Sequence, residues 1–123
     1  MNRRHTWRGV IAAACACLSL AGTAPARAEP AALDQGIRAL QSEWAAIQYQ
    51  TPEREREARF ESLSQQAHAL TAQFPDRAEP HIWEGIVLSS WAGAKGGLGA
   101  LGIAKQAKAE YETAIKIDSK ALD

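Results

Sequence analysis

The chain has 123 residues, 46% of them hydrophobic, with fourteen basic and fourteen acidic side chains. This composition is ordinary for a globular protein and excludes a largely disordered chain. Four of the basic residues lie in the first 28, which contain no acidic residue, so the remainder is mildly acidic, with ten basic and fourteen acidic side chains. An acidic domain without a basic stripe is a poor candidate for binding nucleic acid.

Residues 1–28 are predicted to be a cleavable secretory signal peptide. The segment begins with arginines, continues as an apolar run over 10–22 and ends in Ala26-Arg27-Ala28. Small residues at Ala26 and Ala28 are typical of a signal peptidase site, so we expect cleavage after Ala28 and a periplasmic or secreted protein. The alternative of an uncleaved membrane anchor is disfavoured because the apolar run is short for a membrane span.

Both cysteines of the chain, Cys15 and Cys17, lie within this predicted signal peptide. Cleavage would therefore leave no cysteine for a disulfide or for a thiolate metal site, and no membrane span. A second alternative is a lipoprotein that carries its lipid on one of these cysteines. We disfavour it because three alanines precede Cys15, where a lipoprotein motif usually begins with leucine.

The segment 29–74 is predicted to form a hairpin of two helices, which run from about 31 to 49 and from about 52 to 74. Apolar residues recur at alternating spacings of four and three in both halves, so they share one face of each helix. Pro52 separates the two helices. The two apolar faces consist of Leu33, Ile37, Leu40, Trp44 and Ile47, and of Phe60, Leu63, Ala67, Leu70 and Phe74.

A second helical hairpin with a glycine-rich insert is predicted over 75–123. Its first helix, from about Glu79 to Trp91, is apolar on more than one side and is expected to be the most buried element. Its second helix runs from about 101 to 117. No segment alternates with the period of a strand, so the predicted fold class is all-α.

The insert between these two helices contains five glycines within the ten residues 93–102. Each glycine weakens a helix by about 1 kcal/mol relative to alanine. The segment 92–102 is therefore predicted to be a loop or the frayed start of a helix.

The last predicted helix resembles the second helix of a tetratricopeptide repeat (TPR). That family places a small residue, an aromatic residue and another small residue at spacings of four and three, as Ala107, Tyr111 and Ala114 do here. Gly85 matches the glycine of the repeat's first helix, whereas Glu84 stands where the family usually has leucine. The resemblance implies antiparallel helical hairpins of an α-solenoid, in which small residues let neighbouring helices approach closely.

The runs 76–80, 83–85 and 92–102 make the stretch 75–123 similar to a group of exported bacterial TPR proteins. That group belongs to a broad class that includes periplasmic partners of tripartite solute transporters. This similarity implies a scaffold or accessory component of an envelope assembly or transporter, and it transfers no catalytic residue. Further repeats follow in such relatives, so the chain looks truncated after Asp123. A non-functional fragment of a longer TPR protein is therefore one alternative.

A groove that binds a protein, a peptide or a small ligand is predicted on the third helix and the segment after it. Trp83 and Trp91 are candidates to line it, because tryptophan is enriched in binding hot spots. Lys95, with the backbone N–H groups of Gly96 and Gly97, would suit an anionic group of the ligand. The favoured alternative is that these glycines only permit close packing of the third and fourth helices.

Two other functions are weighed against this binding role. The first is a structural role, in which the chain self-associates through the end of the last helix, near Tyr111 and Ile115. The least favoured alternative is a nucleotide-binding enzyme, since Gly97, Gly99 and Gly102 fit a dinucleotide fingerprint. That fingerprint requires a strand before the glycines, where a helix is predicted here.

Neither catalysis nor a metal site is expected. His68 and His81 lack the further ligands that a zinc site requires, and we expect both to lie at the surface or at helix caps. The serines lack the surroundings of a hydrolase nucleophile. We therefore predict a binding protein without a cofactor rather than an enzyme.

Overall fold

The computed structural model describes residues 28–120, and this part of the chain contains four helices and no strand. Helix α1 spans Ala28–Gln50, α2 spans Glu53–Gln73, α3 spans Ala78–Lys95 and α4 spans Gly99–Ile117. The all-α fold class is thus confirmed for the described residues. The predicted signal peptide, with Ala26, lies outside them, and Ala28 is the first residue of α1.

Consecutive helices run antiparallel because short connections join them and residues from opposite ends meet. Between α2 and α3, for example, Lys95 at the end of α3 pairs with Glu57 in the second turn of α2 at 2.9 Å. Helices α1 and α3 also contact each other, where the indole N–H of Trp44 donates to Ser90 Oγ at 2.8 Å. The four helices therefore form two hairpins that lie side by side.

Helix α3 is the central element, since it alone contacts all three other described helices. Its residues contribute to two adjoining apolar clusters, and Trp91 packs against both. The first cluster buries the predicted faces of α1 and α2, with Ile37 and Trp44 half-buried at its edge. The second is formed by Leu88, Ala92, Ile103 and Ala107.

The segment 92–102, predicted to be a loop or a frayed helix start, is helical except for a short turn, so the prediction of a long loop is wrong. Helix α3 continues to Lys95 and α4 begins at Gly99, so only three residues connect them. Gly96 and Gly97 have φ values of 65° and 64°, a conformation that glycine adopts without steric cost. The other glycines are helical because packing of α3 against α4 outweighs their weak intrinsic propensity.

The small residues predicted to pack the second hairpin lie at the contact between α3 and α4. Ala107 and Ala114 are buried, and the half-buried Tyr111 lies against Gly85. A Cβ atom placed on Gly85 would lie only 2.6 Å from Cε1 of Tyr111. Ile115, on the same helix, is 46% exposed.

This close approach predicts that Gly85→Ala destabilises the protein. The new methyl group would force the Tyr111 ring outwards, at a cost of about 1–3 kcal/mol in the free energy of unfolding. Gly93→Ala is the matched control, since a Cβ atom there meets nothing within 4 Å. We expect it to stabilise the helix by about 0.5–1 kcal/mol. Urea unfolding followed by circular dichroism at 222 nm measures both, and equal effects would contradict the packing role of Gly85.

Candidate functional site

The residues predicted to line a partner groove lie in four different places. Trp83 packs in the first core cluster, edge-on to Trp44 with ring centroids 6.4 Å apart. The ammonium group of Lys95 donates to Glu57 Oε1 at 2.9 Å, a contact that raises the pKa of Lys95. Gly96 and Gly97 form the exposed turn after α3. Only Trp91 faces a cavity with unpaired polar groups.

That cavity is a groove of about 340 Å³ bounded by α2, α3 and α4. It exists because α4 packs on α3 and not on α2, so the two outer helices leave a gap above α3. We call it the Glu84 groove. It is lined by Ser64, Gln65, His68, Glu84, Leu88, Trp91 and Gln106.

Two buried polar atoms of this groove have no hydrogen-bond partner among the described residues. They are Oε2 of Glu84 and the indole Nε1 of Trp91. Glu84 is only 5% exposed, so its carboxylate has lost most of its hydration. A buried polar group without a partner costs about 1–3 kcal/mol, and a charged one costs more. Native proteins keep few such atoms, and two in one groove mark a candidate binding site.

His68 covers the other oxygen of this carboxylate. Its Nδ1 lies 2.9 Å from Glu84 Oε1, and its side chain is 73% exposed. As predicted, His68 lies at the surface. Because the ring stays largely hydrated, it can turn away from Glu84 with little loss of burial, and it is therefore the movable part of the groove.

The prediction for His81 is wrong, because this histidine is buried at the start of α3. Its Nε2 lies 2.8 Å from the carbonyl oxygen of Pro75, and its Nδ1 lies 2.6 Å from Oε2 of Glu110. A carbonyl and a carboxylate both accept hydrogen bonds, so these two contacts favour the imidazolium, with a proton on each ring nitrogen. Burial lowers its pKa, but the hydrogen bonds to Pro75 and Glu110 outweigh burial, and the net pKa is raised above 6.5.

A second cavity, of about 290 Å³, lies between α1, α2 and α3 and is a weaker candidate. Two of its polar side chains, Arg56 and Ser90, already have partners within the protein. Arg56 Nε donates to the carbonyl oxygen of Thr51 at 2.9 Å, and Ser90 Oγ donates to that of Ile86 at 2.9 Å. A ligand there would have to replace these contacts instead of completing unpaired ones.

The described residues lack the features of a metal site, a membrane span and a dinucleotide-binding turn. They contain no group of three or more His, Cys, Asp or Glu side chains that could hold a metal ion. None of the described helices is both long and apolar enough to cross a membrane. The glycines of the dinucleotide fingerprint follow helix α3, and Gly99 and Gly102 are themselves in α4.

No family model, curated protein or solved structure matches the chain.

Sequence reasoning missed Glu84 as a candidate site residue. The available signal was its departure from the repeat pattern, because a carboxylate occupies a position where the TPR family usually has leucine. The structure shows what this departure does: it places a charged group in a buried position on the floor of a groove. Trp91 was selected from the sequence, and its unpaired indole N–H distinguishes it from Trp44, which donates to Ser90.

The raised pKa of His81 predicts that the protein loses stability as the pH rises. A raised pKa in the folded state adds stability that is fully present below the unfolded value of 6.5 and is lost as the pH rises through the folded value. Urea unfolding at a series of pH values from 6 upwards measures this loss. His81→Gln should flatten the profile and Glu110→Gln should shrink the loss, whereas a wild-type profile retained by His81→Gln would assign the loss to another group.

Replacing Glu84 by the leucine of the repeat pattern is expected to stabilise the protein. Glu84→Leu removes a buried charge with an unpaired oxygen and leaves His68 hydrated, so the free energy of unfolding should rise by about 1–3 kcal/mol. Glu110→Leu is the control, since it removes the partner of the buried His81 and should destabilise. Urea unfolding at neutral pH measures both. A destabilised Glu84→Leu variant would show that the carboxylate serves the fold instead of a site.

Proposed function

We propose that this protein is an exported helical-repeat module that binds a peptide segment of a partner protein in the Glu84 groove. In this proposal it acts without catalysis, as an accessory or scaffold component of an envelope assembly or transporter. Export rests on the predicted signal peptide, and the assembly role rests on the resemblance to exported TPR proteins. The choice of groove rests on its two unpaired polar atoms, in Glu84 and Trp91.

Three features of the helix packing support a TPR-like arrangement. The residue pattern of α4 coincides with its packing, because Ala107 and Ala114 are buried against α3. The glycine of α3 lies against the aromatic residue of α4, as the distance from Gly85 to Tyr111 indicates. Helices α1 and α3 lie side by side, so the first helices of the two hairpins are neighbours. Stacked hairpins of this kind form the binding surfaces of repeat proteins.

The observation that carries the proposal is the pair of unpaired polar atoms in one groove. Glu84 offers an acceptor and Trp91 offers a donor, and both are buried on the same face of α3. A structural core position would be filled more stably by apolar side chains. Binding of a peptide would complete both hydrogen bonds, and the groove of about 340 Å³ is large enough for one or two side chains.

Selection from a random heptapeptide library displayed on phage tests this function. The test variant is Gln106→Trp, which fills the groove from the exposed surface of α4. Its matched control is Gln41→Trp, which changes another exposed glutamine, on α1. We expect peptides selected on the wild-type protein to bind Gln41→Trp equally and to bind Gln106→Trp at least about tenfold more weakly.

The indole N–H resonance of Trp91 provides the second measurement in this experiment. It is assigned by its loss in Trp91→Phe, and a selected peptide that occupies the groove should shift it in a ¹H–¹⁵N spectrum. Peptides that bind Gln106→Trp as tightly as wild type, or that leave the Trp91 resonance in place, would place the binding surface elsewhere. A selection that enriches no peptide would contradict a peptide-binding role.

Self-association through α4 is the second candidate. Leu101 and Ile115, two heptads apart on this helix, are 57% and 46% exposed. Two copies that pack through this face would bury both residues, whereas Tyr111 already packs against Gly85. Sedimentation over a range of protein concentrations tests it: the wild type should form a dimer, Ile115→Glu should be monomeric and the neighbouring Lys116→Glu should remain dimeric. A monomeric wild type at every concentration rejects this candidate.

A further inference from the structure

The unpaired oxygen of Glu84 is an acceptor on the floor of the Glu84 groove. His81, Glu84 and Glu110 lie at the start of α3 and the middle of α4, and both carboxylates raise the pKa of His81. Glu110 makes the direct hydrogen bond to His81, at 2.6 Å. His68 contacts Oε1 of Glu84 at 2.9 Å, whereas Oε2 has no partner among the described residues. A cationic donor from outside the chain would give this oxygen a partner.

The rest of the groove floor is an ordered stripe along α3. Glu84, Leu88 and Trp91 occupy positions i, i+4 and i+7, so they follow one another on the same face of the helix. The stripe presents an acceptor, then an apolar surface, then a donor. Its ends are two helical turns apart, which is about 10 Å along the axis. A matching ligand has a cationic donor and an acceptor, with an apolar chain between them.

We propose that the groove recognises a lysine or arginine side chain of an extended peptide, with its cationic head group on Glu84 and its aliphatic stem over Leu88. The backbone carbonyl oxygen of the peptide accepts from Nε1 of Trp91. This inference rests on the peptide-binding function proposed above and adds the class of side chain. The stem of lysine or arginine packs readily along an apolar surface while its head group reaches a carboxylate.

The lining of the groove favours a cation over an anion. It contains one carboxylate and neither lysine nor arginine, so an anionic ligand would meet Glu84 without a fixed positive partner in the lining. A diamine would satisfy Glu84 but offers no acceptor to Trp91. His68 yields its place on Oε1 of Glu84 to the incoming head group, because the exposed imidazole regains water when it turns away. Both oxygens of the carboxylate then accept from the cation.

The test uses probes that differ in one group each. Acetyl-alanyl-lysyl-alanine amide carries the ammonium, and its norleucine analogue carries a methyl group on a stem of similar length. 1,5-Diaminopentane has the cation and lacks the peptide carbonyl. Titrations of the purified protein are followed by the ¹H–¹⁵N resonance of the Trp91 indole. We expect the lysine peptide to bind at least about tenfold more tightly than the norleucine peptide and than the diamine.

Two variants assign this preference to the groove. Glu84→Gln keeps the shape of the side chain and removes its charge, so the lysine and norleucine peptides should bind within about twofold of each other. His68→Ala changes an exposed residue and removes the competitor for Glu84, so it should tighten binding of the lysine peptide by about threefold. The second variant keeps the test informative if Glu84→Gln does not fold.

Each contrary result has one meaning. Equal binding of the lysine and norleucine peptides to the wild type, or an unchanged lysine preference in Glu84→Gln, overturns the assignment of a basic side chain. A diamine that binds as tightly as the lysine peptide overturns the role of the peptide carbonyl at Trp91. If library-selected peptides still occupy the groove in these cases, the proposed function stands and only the inference fails. If none occupies it, the proposed function fails with it.

Discussion

Helix α4 packs on α3 and on no other described helix, and the rest of the structure depends on this constraint. Small residues in both helices permit this contact, and it is tight enough that Gly85 has no room for a side chain beside Tyr111. Because α4 does not reach α2, a gap remains above α3. The groove is therefore a consequence of how the second hairpin is placed, and its floor consists of whichever α3 residues face the gap.

Glu84 is unfavourable for stability at the position where we propose binding. Leucine, the usual residue in the repeat pattern, would join the apolar cluster beneath the groove without any loss of hydration. The carboxylate instead retains an unpaired oxygen in a buried position. A buried charged group with an unpaired oxygen costs stability, and this cost is the physical reason for the binding site proposed here. Buried His81 offsets part of the unfavourable energy, because its imidazolium lies near Glu84.

Much of the fold was predictable because its signals are local. The apolar faces of α1 and α2 follow from spacings of three and four, and Leu40, Phe60 and Leu63 are buried as that periodicity requires. The connection between α3 and α4 was not predictable in the same way. Intrinsic propensity counts every glycine as unfavourable, whereas the packed helices keep Gly93, Gly99 and Gly102 helical and leave only a three-residue turn.

The sequence by itself determined the all-α class and the faces of α1 and α2 that are buried, since these depend on the identity and spacing of neighbouring residues. Only the tertiary structure decided which polar groups find partners. Trp44 and Trp91 are alike in sequence terms, yet the first donates to Ser90 and the second has no acceptor among the described residues. Likewise, the pKa of buried His81 is raised in part because α4 brings Glu110, 29 residues away, within 2.6 Å. Contacts between residues distant in the chain depend on how the helices pack, and local periodicity carries no record of that packing.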